Sequence, residues 1–392
     1  MRICHVITRL IIGGAQENTL LTCEGLGERG HEVVLLAGPE TGPEGSLWQR
    51  VEASGLRAIV VDQMRRAVNP WRDRRCLERL ERLLGELQCQ VVHTHSSKAG
   101  ILGRLAAARV RVPVVVHTIH GMSFNRTQPW PVRALYRALE RRAARDTHAF
   151  ACVAKAMTEQ AVAAGLAPPE RFTTIYSGME VERFAPDADR RRRIRQEWGL
   201  CEDQIVVGTI ARLFRNKGYE QIIAAMPAMA KAMPNLRFVW VGHGADRGRY
   251  ERRLSEIGLR DHVHLTGLVQ PEQIPDSVAG LDILLHASQW EGLPRALPQA
   301  LLSEVPVVSF DNDGAPEVVI SGVTGELVPM GDVAALAAAV TRLAGSADRR
   351  RSMGAEGRRR CLEMFDHQRM VDRLEALYAA LLDRCGALQL SS

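Results

Sequence analysis

Residues 207–226 read VGTIARLFRNKGYEQIIAAM. A short apolar run ends in a loop that carries Arg212 and Lys217, and the loop passes Gly218 into residues at helical spacing. The apolar run shows no polar alternation. That marks a strand covered on both faces, the condition of a parallel sheet with helices above and below. Read outward from here, the same unit recurs. Toward the C-terminus follow RFVWVGHG, VHLTGLV, ILLHAS, PVVSF and GELVP, and toward the N-terminus stand RICHVIT, EVVLLAG, AIVVD, QVVHTH, PVVVHTIH, AFACVA and TTIYSG. The spacers between them have helical length, so the expected fold class is α/β with two doubly wound, Rossmann-like parallel-sheet domains.

The size agrees with two domains. The chain has 392 residues, 46% of them hydrophobic and 24% charged, enough for two ordinary cores. We place the first domain at 1–185 and the second at 200–365. Pro186 and the run Arg190 to Arg193 between them read as an exposed connection, with the arginines on a solvated helix start. The tail 366–385 sets Met370, Leu374, Leu377 and Leu381 at helical spacing, an amphipathic helix with one apolar face to bury.

No apolar run approaches the length of a bilayer span, and the N-terminus enters a strand pattern without the zones of a signal peptide, so a cytoplasmic protein is expected. The eight cysteines, Cys4, Cys23, Cys76, Cys89, Cys152, Cys201, Cys361 and Cys385, form no CxxC pair, which argues for reduced structural thiols and no zinc. Net charge is +6, and it is unevenly spread: residues 1–185 hold 25 Lys+Arg against 18 Asp+Glu, and the remainder 26 against 27. A basic first half suggests an anionic partner. Nucleic acid is disfavoured, because the arginines lack interleaved stacking aromatics. The stretch 128–150 offers another candidate. There Trp130, Leu135, Tyr136 and Leu139 stand among Arg133, Arg137, Arg141, Arg142 and Arg145, a pattern that suits an anionic membrane surface or a core-packed helix with a solvated outer face.

Several loops carry chemistry. Gly13 and Gly14 precede a helix pattern and would let a phosphate approach backbone N–H groups; an ordinary strand-to-helix turn reads the same way. Arg212 and Lys217 lie at the carboxyl edge of a strand, where doubly wound folds bind ligands, and a guanidinium fork with an ammonium suits a diphosphate. Glu291 follows the strand ILLHAS. It reads either as a carboxylate for sugar hydroxyls, with the first-turn N–H groups of Gly292 and Leu293 beside it, or as a plain helix cap. The acids of DND at 311–313 read as a turn.

Together GGAQ, ARLFRNKG and EGLP, with a polar residue eight positions after the Glu, resemble the retaining, nucleotide-sugar-dependent glycosyltransferases of family 4, also called glycosyl transferases group 1, with the GT-B fold. The resemblance extends over essentially the whole chain, including YSGMEVERFAP at 176–186. It implies two Rossmann-like domains facing a central cleft, an acceptor-binding first domain onto which the tail helix packs back, and a second domain that binds the nucleotide sugar. By the resemblance Gly13 and Gly14 approach the donor phosphates, Arg212 and Lys217 hold the diphosphate, and Glu291 holds the donor sugar. His120, in HTIHGMSF, would reach the transferred sugar; a satisfied buried histidine is the rival reading. His93, His95 and Lys98, in VVHTHSSKAG, stand open between acceptor-side and structural roles.

The family pattern has a second Glu, a ribose ligand, where this chain has Gln299, which keeps one carbonyl acceptor and loses the charge. The implied activity is transfer of a hexose or N-acetylhexosamine, from a UDP-sugar by preference, to a glycan or lipid-linked acceptor in cell-envelope or exopolysaccharide synthesis. No metal or other cofactor is expected, since fixed cations take its place, and the helix that begins at Glu291 adds positive potential. The enzyme would work in the cytoplasm or at the inner face of the membrane. A nucleotide-sugar epimerase and a noncatalytic sugar-nucleotide binder are the alternatives.

Overall fold

The computed structural model describes residues 1–39, 42, 45–124 and 128–390, the last four of these by backbone only. The chain divides into two compact units: residues 1–178 with 367–392, and residues 179–366. Unit 1 holds a parallel sheet of β1 (Arg2–Arg9), β2 (Glu32–Gly38), β3 (Arg57–Val60), β4 (Val91–His95), β5 (Val114–Ile119), β6 (Ala149–Cys152) and β7 (Phe172–Thr174), in the order β3-β2-β1-β4-β5-β6-β7. Unit 2 holds β8 (Ile205–Ile210), β9 (Leu236–Val241), β10 (Val263–Gly267), β11 (Ile283–His286), β12 (Val307–Phe310) and β13 (Gly325–Val328), in the order β10-β9-β8-β11-β12-β13. Every apolar run read as a strand is one. Both sheets reverse their strand order once, between β1 and β4 and between β8 and β11. At such a switch point two neighbouring loops diverge and leave a crevice at the carboxyl edge.

Period-two alternation assigns the side chains of unit 1 to two cores. Ile3, Ile7, Leu35, Val91 and Val116 share one face with the tail helix His367–Leu390 through Met370, Leu374 and Tyr378. Cys4, Val6, Leu36, Val92 and Val115 pack on the other. The tail helix therefore packs on the sheet of unit 1. The eight cysteines are free thiols, and burial raises those of Cys23, Cys76 and Cys361.

The expected exposed connection at 185–200 is corrected. Phe184 and Trp198 are buried, and the helix Ala188–Glu197, capped by Asp187, belongs to unit 2. Arg192 and Arg193 are exposed, but Arg190 pairs with Asp276 at 2.9 Å, Arg191 with Asp282 at 2.6 Å, and buried Arg195 also with Asp282. The run Arg190 to Arg193 is thus no linker. The chain passes from unit 1 to unit 2 at 178/179 and returns at 366/367.

Candidate functional site

At the switch point of unit 2, two loops are fastened together. After β8 the chain turns through residues 211–218, where Tyr219 donates its O–H to the Ala211 carbonyl at 2.8 Å. Gly218 has φ +78°, and a Cβ there would stand 1.8 Å from the Ala287 carbonyl oxygen, so glycine is required by both conformation and proximity. The Gln289 N–H donates to the Asn216 carbonyl at 2.9 Å, and the Ser288 hydroxyl donates to the same carbonyl at 3.2 Å. This fixed contact brings Lys217 to Glu291: the ammonium donates to Glu291 Oε1, with side chains only 13% and 22% exposed. Burial alone would raise the Glu291 carboxyl. The Lys217 ammonium, then His286, and hydrogen bonds from Lys217 and Ser288 outweigh it and hold the group below its ordinary range.

His286, at the end of β11, is buried with its Nε2 unpartnered among the described residues and 3.9 Å from Glu291 Oε1, too far for a hydrogen bond. Burial pushes it down to about 4, so it is neutral near pH 7. Arg212 is exposed, with its guanidinium carbon 5.0 Å from the Phe214 ring centre.

The expectation of a helix beginning at Glu291 is corrected. The helix is Ala296–Leu302, five residues later, and Glu291, Gly292 and Leu293 lie in the turn before it. The Glu291 N–H is also spoken for, donating to Asp313 Oδ2 at 2.8 Å. Asp313 has φ +47°, and its neighbour Asn312 donates to the Ser288 carbonyl at 3.2 Å. The DND turn therefore braces the Glu291 loop, a role its sequence did not disclose. Asn and Asp tolerate the left-handed region, and that is the only signal it carried. Gln299 lies in the helix Ala296–Leu302 and is 8% exposed.

Unit 1 builds its switch point differently. Thr8 and Ser96, at the ends of β1 and β4, share a hydroxyl hydrogen bond of 2.7 Å, and Ser96 has φ +61°. His5 on β1 faces His93 in register, and His95 and His120 project from the same face as His93 by period two. His5 Nδ1 meets His95 Nε2 at 3.0 Å, and His95 Nδ1 meets His120 Nε2 at 3.0 Å. His93 is satisfied by the Tyr378 hydroxyl and, at 2.6 Å, by Thr118. Burial lowers His5 to about 3 and holds His93 and His95 well below the ordinary value. Ligand nitrogens of His5, His93 and His95 lie within 4.8 Å of one another, a spacing compatible with a metal; both nitrogens of His93 and of His95 and the Nδ1 of His5 have hydrogen-bond partners, while His5 Nε2 has none among the described residues.

His120 also lines a shallow pocket open to solvent, with Ser97, Met122, Glu140 and Leu166. Lys98 is engaged within the unit. Its ammonium donates to Asp73 at 2.7 Å and to the Ala67 carbonyl at 2.5 Å, which ties two helices together. Gly13 is the N-cap of the helix Gly14–Glu28 with φ 175°, extended backbone open to any residue, and a Cβ there would meet only the movable Gln16 side chain. The loop thus offers an uncapped helix start without a conformational need for glycine.

Known proteins match this architecture. Residues 12–183 match the model of Glycosyltransferase Family 4, and residues 190–360 that of Glycosyl transferases group 1. The chain is 28% identical over 382 residues to the UDP-Gal:alpha-D-GlcNAc-diphosphoundecaprenol alpha-1,3-galactosyltransferase of Escherichia coli, covering 96% of each chain. It is 30% identical over 310 residues to the putative glycosyltransferase EpsD of Bacillus subtilis strain 168, covering 78% of this chain and 80% of that one. Among solved structures, Anabaena HepE in complex with UDP and glucose superposes with a TM-score of 0.84 at 19% identity, over 97% of this chain and all of that one. With a fold of this class and relatives of this similarity, the chain belongs to glycosyltransferase family 4 and is a glycosyltransferase of the GT-B fold.

Proposed function

We propose that the protein transfers a hexose or N-acetylhexosamine, with retention, from a nucleotide diphosphate sugar to a lipid-linked or glycan acceptor of the cell envelope. Unit 2 holds the donor. The observation that carries this reading is the Lys217–Glu291 pair, fixed at the switch point by the Asn216 and Asp313 contacts. The ammonium, with Arg212 on the same loop, neutralises charge on the departing nucleoside diphosphate, while the Glu291 carboxylate accepts from sugar hydroxyls. These cations supply what a divalent ion would supply elsewhere, so transfer proceeds without added metal. Unit 1 takes the acceptor, and His120 contacts the transferred sugar. A UDP-sugar is favoured by the names of two matches, the E. coli UDP-galactose enzyme and HepE with UDP. A lipid-linked acceptor is favoured by the diphosphoundecaprenol substrate in the first name. The test is a panel of UDP- and GDP-sugars in the presence of a chelator, with nucleoside diphosphate release measured. An epimerised sugar, or binding without release, would replace this reading.

The helix Trp130–Ala144 extends the proposal to the membrane surface. It buries Glu140, Ala143 and Ala144, half-buries Tyr136 and leaves four large apolar residues outside: Trp130 is 74% exposed and Leu135 58%, with Val132 and Leu139 also exposed. The core-packed reading of that stripe does not hold. An outward apolar stripe flanked by Arg133 and Arg137 suits an anionic bilayer surface, with the indole in the headgroup zone. Flotation with anionic vesicles at low salt should carry the protein upward, and Trp130→Ala with Leu135→Ala should release it. No flotation of the wild type would remove the membrane from the proposal.

A further inference from the structure

Buried His286 has no task in the function proposed above, although it stands at the switch point of unit 2. Among the described residues its Nε2 has no partner, yet Glu291 Oε1 lies 3.9 Å away. A displacement of about 1 Å would bring the two atoms to ordinary hydrogen-bond distance. The Lys217 ammonium, which donates to that same oxygen, forestalls it. The proton on the ring is also placed. Two charged groups act on His286, Glu291 favouring protonation and Lys217 opposing it, while Ser309, its register partner on β12, is neutral. A lone pair turned to a carboxylate oxygen is repelled and an N–H is attracted, so the neutral ring carries its proton on Nε2.

We propose that His286 is a positioning residue for Glu291: its Nε2–H takes over Glu291 Oε1 when the Lys217 ammonium is drawn to a donor diphosphate. An ammonium shared between a carboxylate and a diphosphate holds each of them less. The Ser288 hydroxyl cannot fill the gap alone, because it has one proton and the Asn216 carbonyl competes for it. A buried carboxylate that loses its cation gains a proton and its fixed direction is lost. The imidazole N–H keeps Glu291 anionic and aimed while it accepts from sugar hydroxyls. No net proton transfer is needed, since a neutral ring and a charged one donate through the same atom. That a diphosphate draws the ammonium away rests on the function proposed above; the contact of His286 with Glu291 does not.

The first test needs no ligand. It uses full-length protein with ¹⁵N-labelled histidine at about pH 7, and His286 is assigned by its loss in His286→Gln. Long-range ¹H–¹⁵N correlations should show the wild-type ring protonated at Nε2. Lys217→Ala withdraws the ammonium as a diphosphate would, so the Nε2 proton should move downfield and exchange more slowly with water. Lys217→Ala with Glu291→Ala should show neither change. A bare Nε2, or a proton unmoved by Lys217→Ala, would overturn the proposal. The second test adds UDP to the wild type, which should move the proton in the same direction; UDP bound with no such movement would also overturn it. The third compares His286→Leu, which keeps the volume and removes the donor, with His286→Gln, which keeps an N–H. His286→Leu should leave UDP affinity nearly unchanged and lower kcat/KM with the sugar nucleotide about tenfold, the scale of one hydrogen bond to a charged group, and His286→Gln should restore most of it. A role in packing alone would not rank Gln above Leu, and equal turnover in both would remove His286 from transfer. A wild type that binds neither UDP nor UDP-galactose ends the donor reading, and the ligand-free spectra then decide the contact by themselves; they decide it too where His286→Leu fails to fold.

Discussion

The two switch points of this chain are built by opposite electrostatic means. Unit 2 brings opposite charges into a half-buried contact, Lys217 with Glu291, on loops held by backbone carbonyls and the Asp313 brace. Unit 1 lines its switch point with neutral imidazoles kept uncharged by burial. A charged pair is poised for a charged ligand. Neutral rings can only donate and accept hydrogen bonds. The same strand order thus carries two chemistries, decided by what stands on the last residues of the strands and on the loops after them.

Acid should break this comparison most strongly. A histidine lowered in the fold is neutral there and protonated in the unfolded chain, so its contribution is complete above the unfolded value near 6.5 and is lost as pH falls toward the folded value. In unit 1, His5, His93, His95 and His117 are all lowered with burial as the leading cause, and His5 titrates at about 3. In unit 2, buried His286 at about 4 is the counterpart, with half-buried His264 lowered less. Glu291 runs the other way: held low, it stabilises unit 2 above the carboxylate range and fails only at pH below it. Each fully titrating histidine takes about 1.4 kcal/mol per pH unit. Hydrogen exchange by mass spectrometry should therefore show unit 1 opening first as pH falls from 6.5 toward 4. Simultaneous opening of both units would contradict this difference.

A buried ion pair also occurs in unit 1. Arg104 is fully buried and donates to Glu140 at 2.5 Å. Glu140→Ala strands the guanidinium and should cost about 3–5 kcal/mol in urea unfolding. Exchanging both partners for apolar residues, Arg104→Met with Glu140→Leu, should cost much less. Equal losses would mean that the helix Trp130–Ala144 depends on the charge pair as such.

Activity sharpens the contrast at an intermediate scale. Lys217→Ala leaves Glu291 without its ammonium and should lower kcat/KM at least tenfold, about 1.4 kcal/mol of transition-state stabilisation or more. Arg212→Ala should do the same. Near-normal turnover in both would refute the leaving-group role.

How much of this was legible in the sequence follows from the range of each interaction. Parallel strands buried on both faces print as continuous apolar runs, so the sheets could be read directly. The resemblance placed Lys217 and Glu291 on the donor, but their mutual pairing joins residues 74 positions apart and depends on a Gly218 turn packed on Ala287. The pairing of Arg190 and Arg191 was hidden because Asp276 and Asp282 lie far along the chain. The histidine cluster needs the register of β1, β4 and β5, which spacing alone does not supply.

The smallest expected effect concerns Gln299. It sits 8% exposed in the helix Ala296–Leu302, which follows the Glu291 loop in the chain, yet it brings no charge. If it receives the ribose hydroxyls, Gln299→Glu converts a neutral acceptor into a charge-assisted one, worth about 1–2 kcal/mol, or about tenfold in affinity. The new carboxylate would also be buried, so part of the gain is offset by a lower unfolding midpoint. Calorimetric titration with the nucleoside diphosphate should therefore show tighter binding together with a less stable free protein. Tighter binding without loss of stability would place an unrecognised cation near the side chain. Unchanged affinity would take Gln299 out of the donor site and leave unit 2 recognising its ligand through Arg212, Lys217 and Glu291.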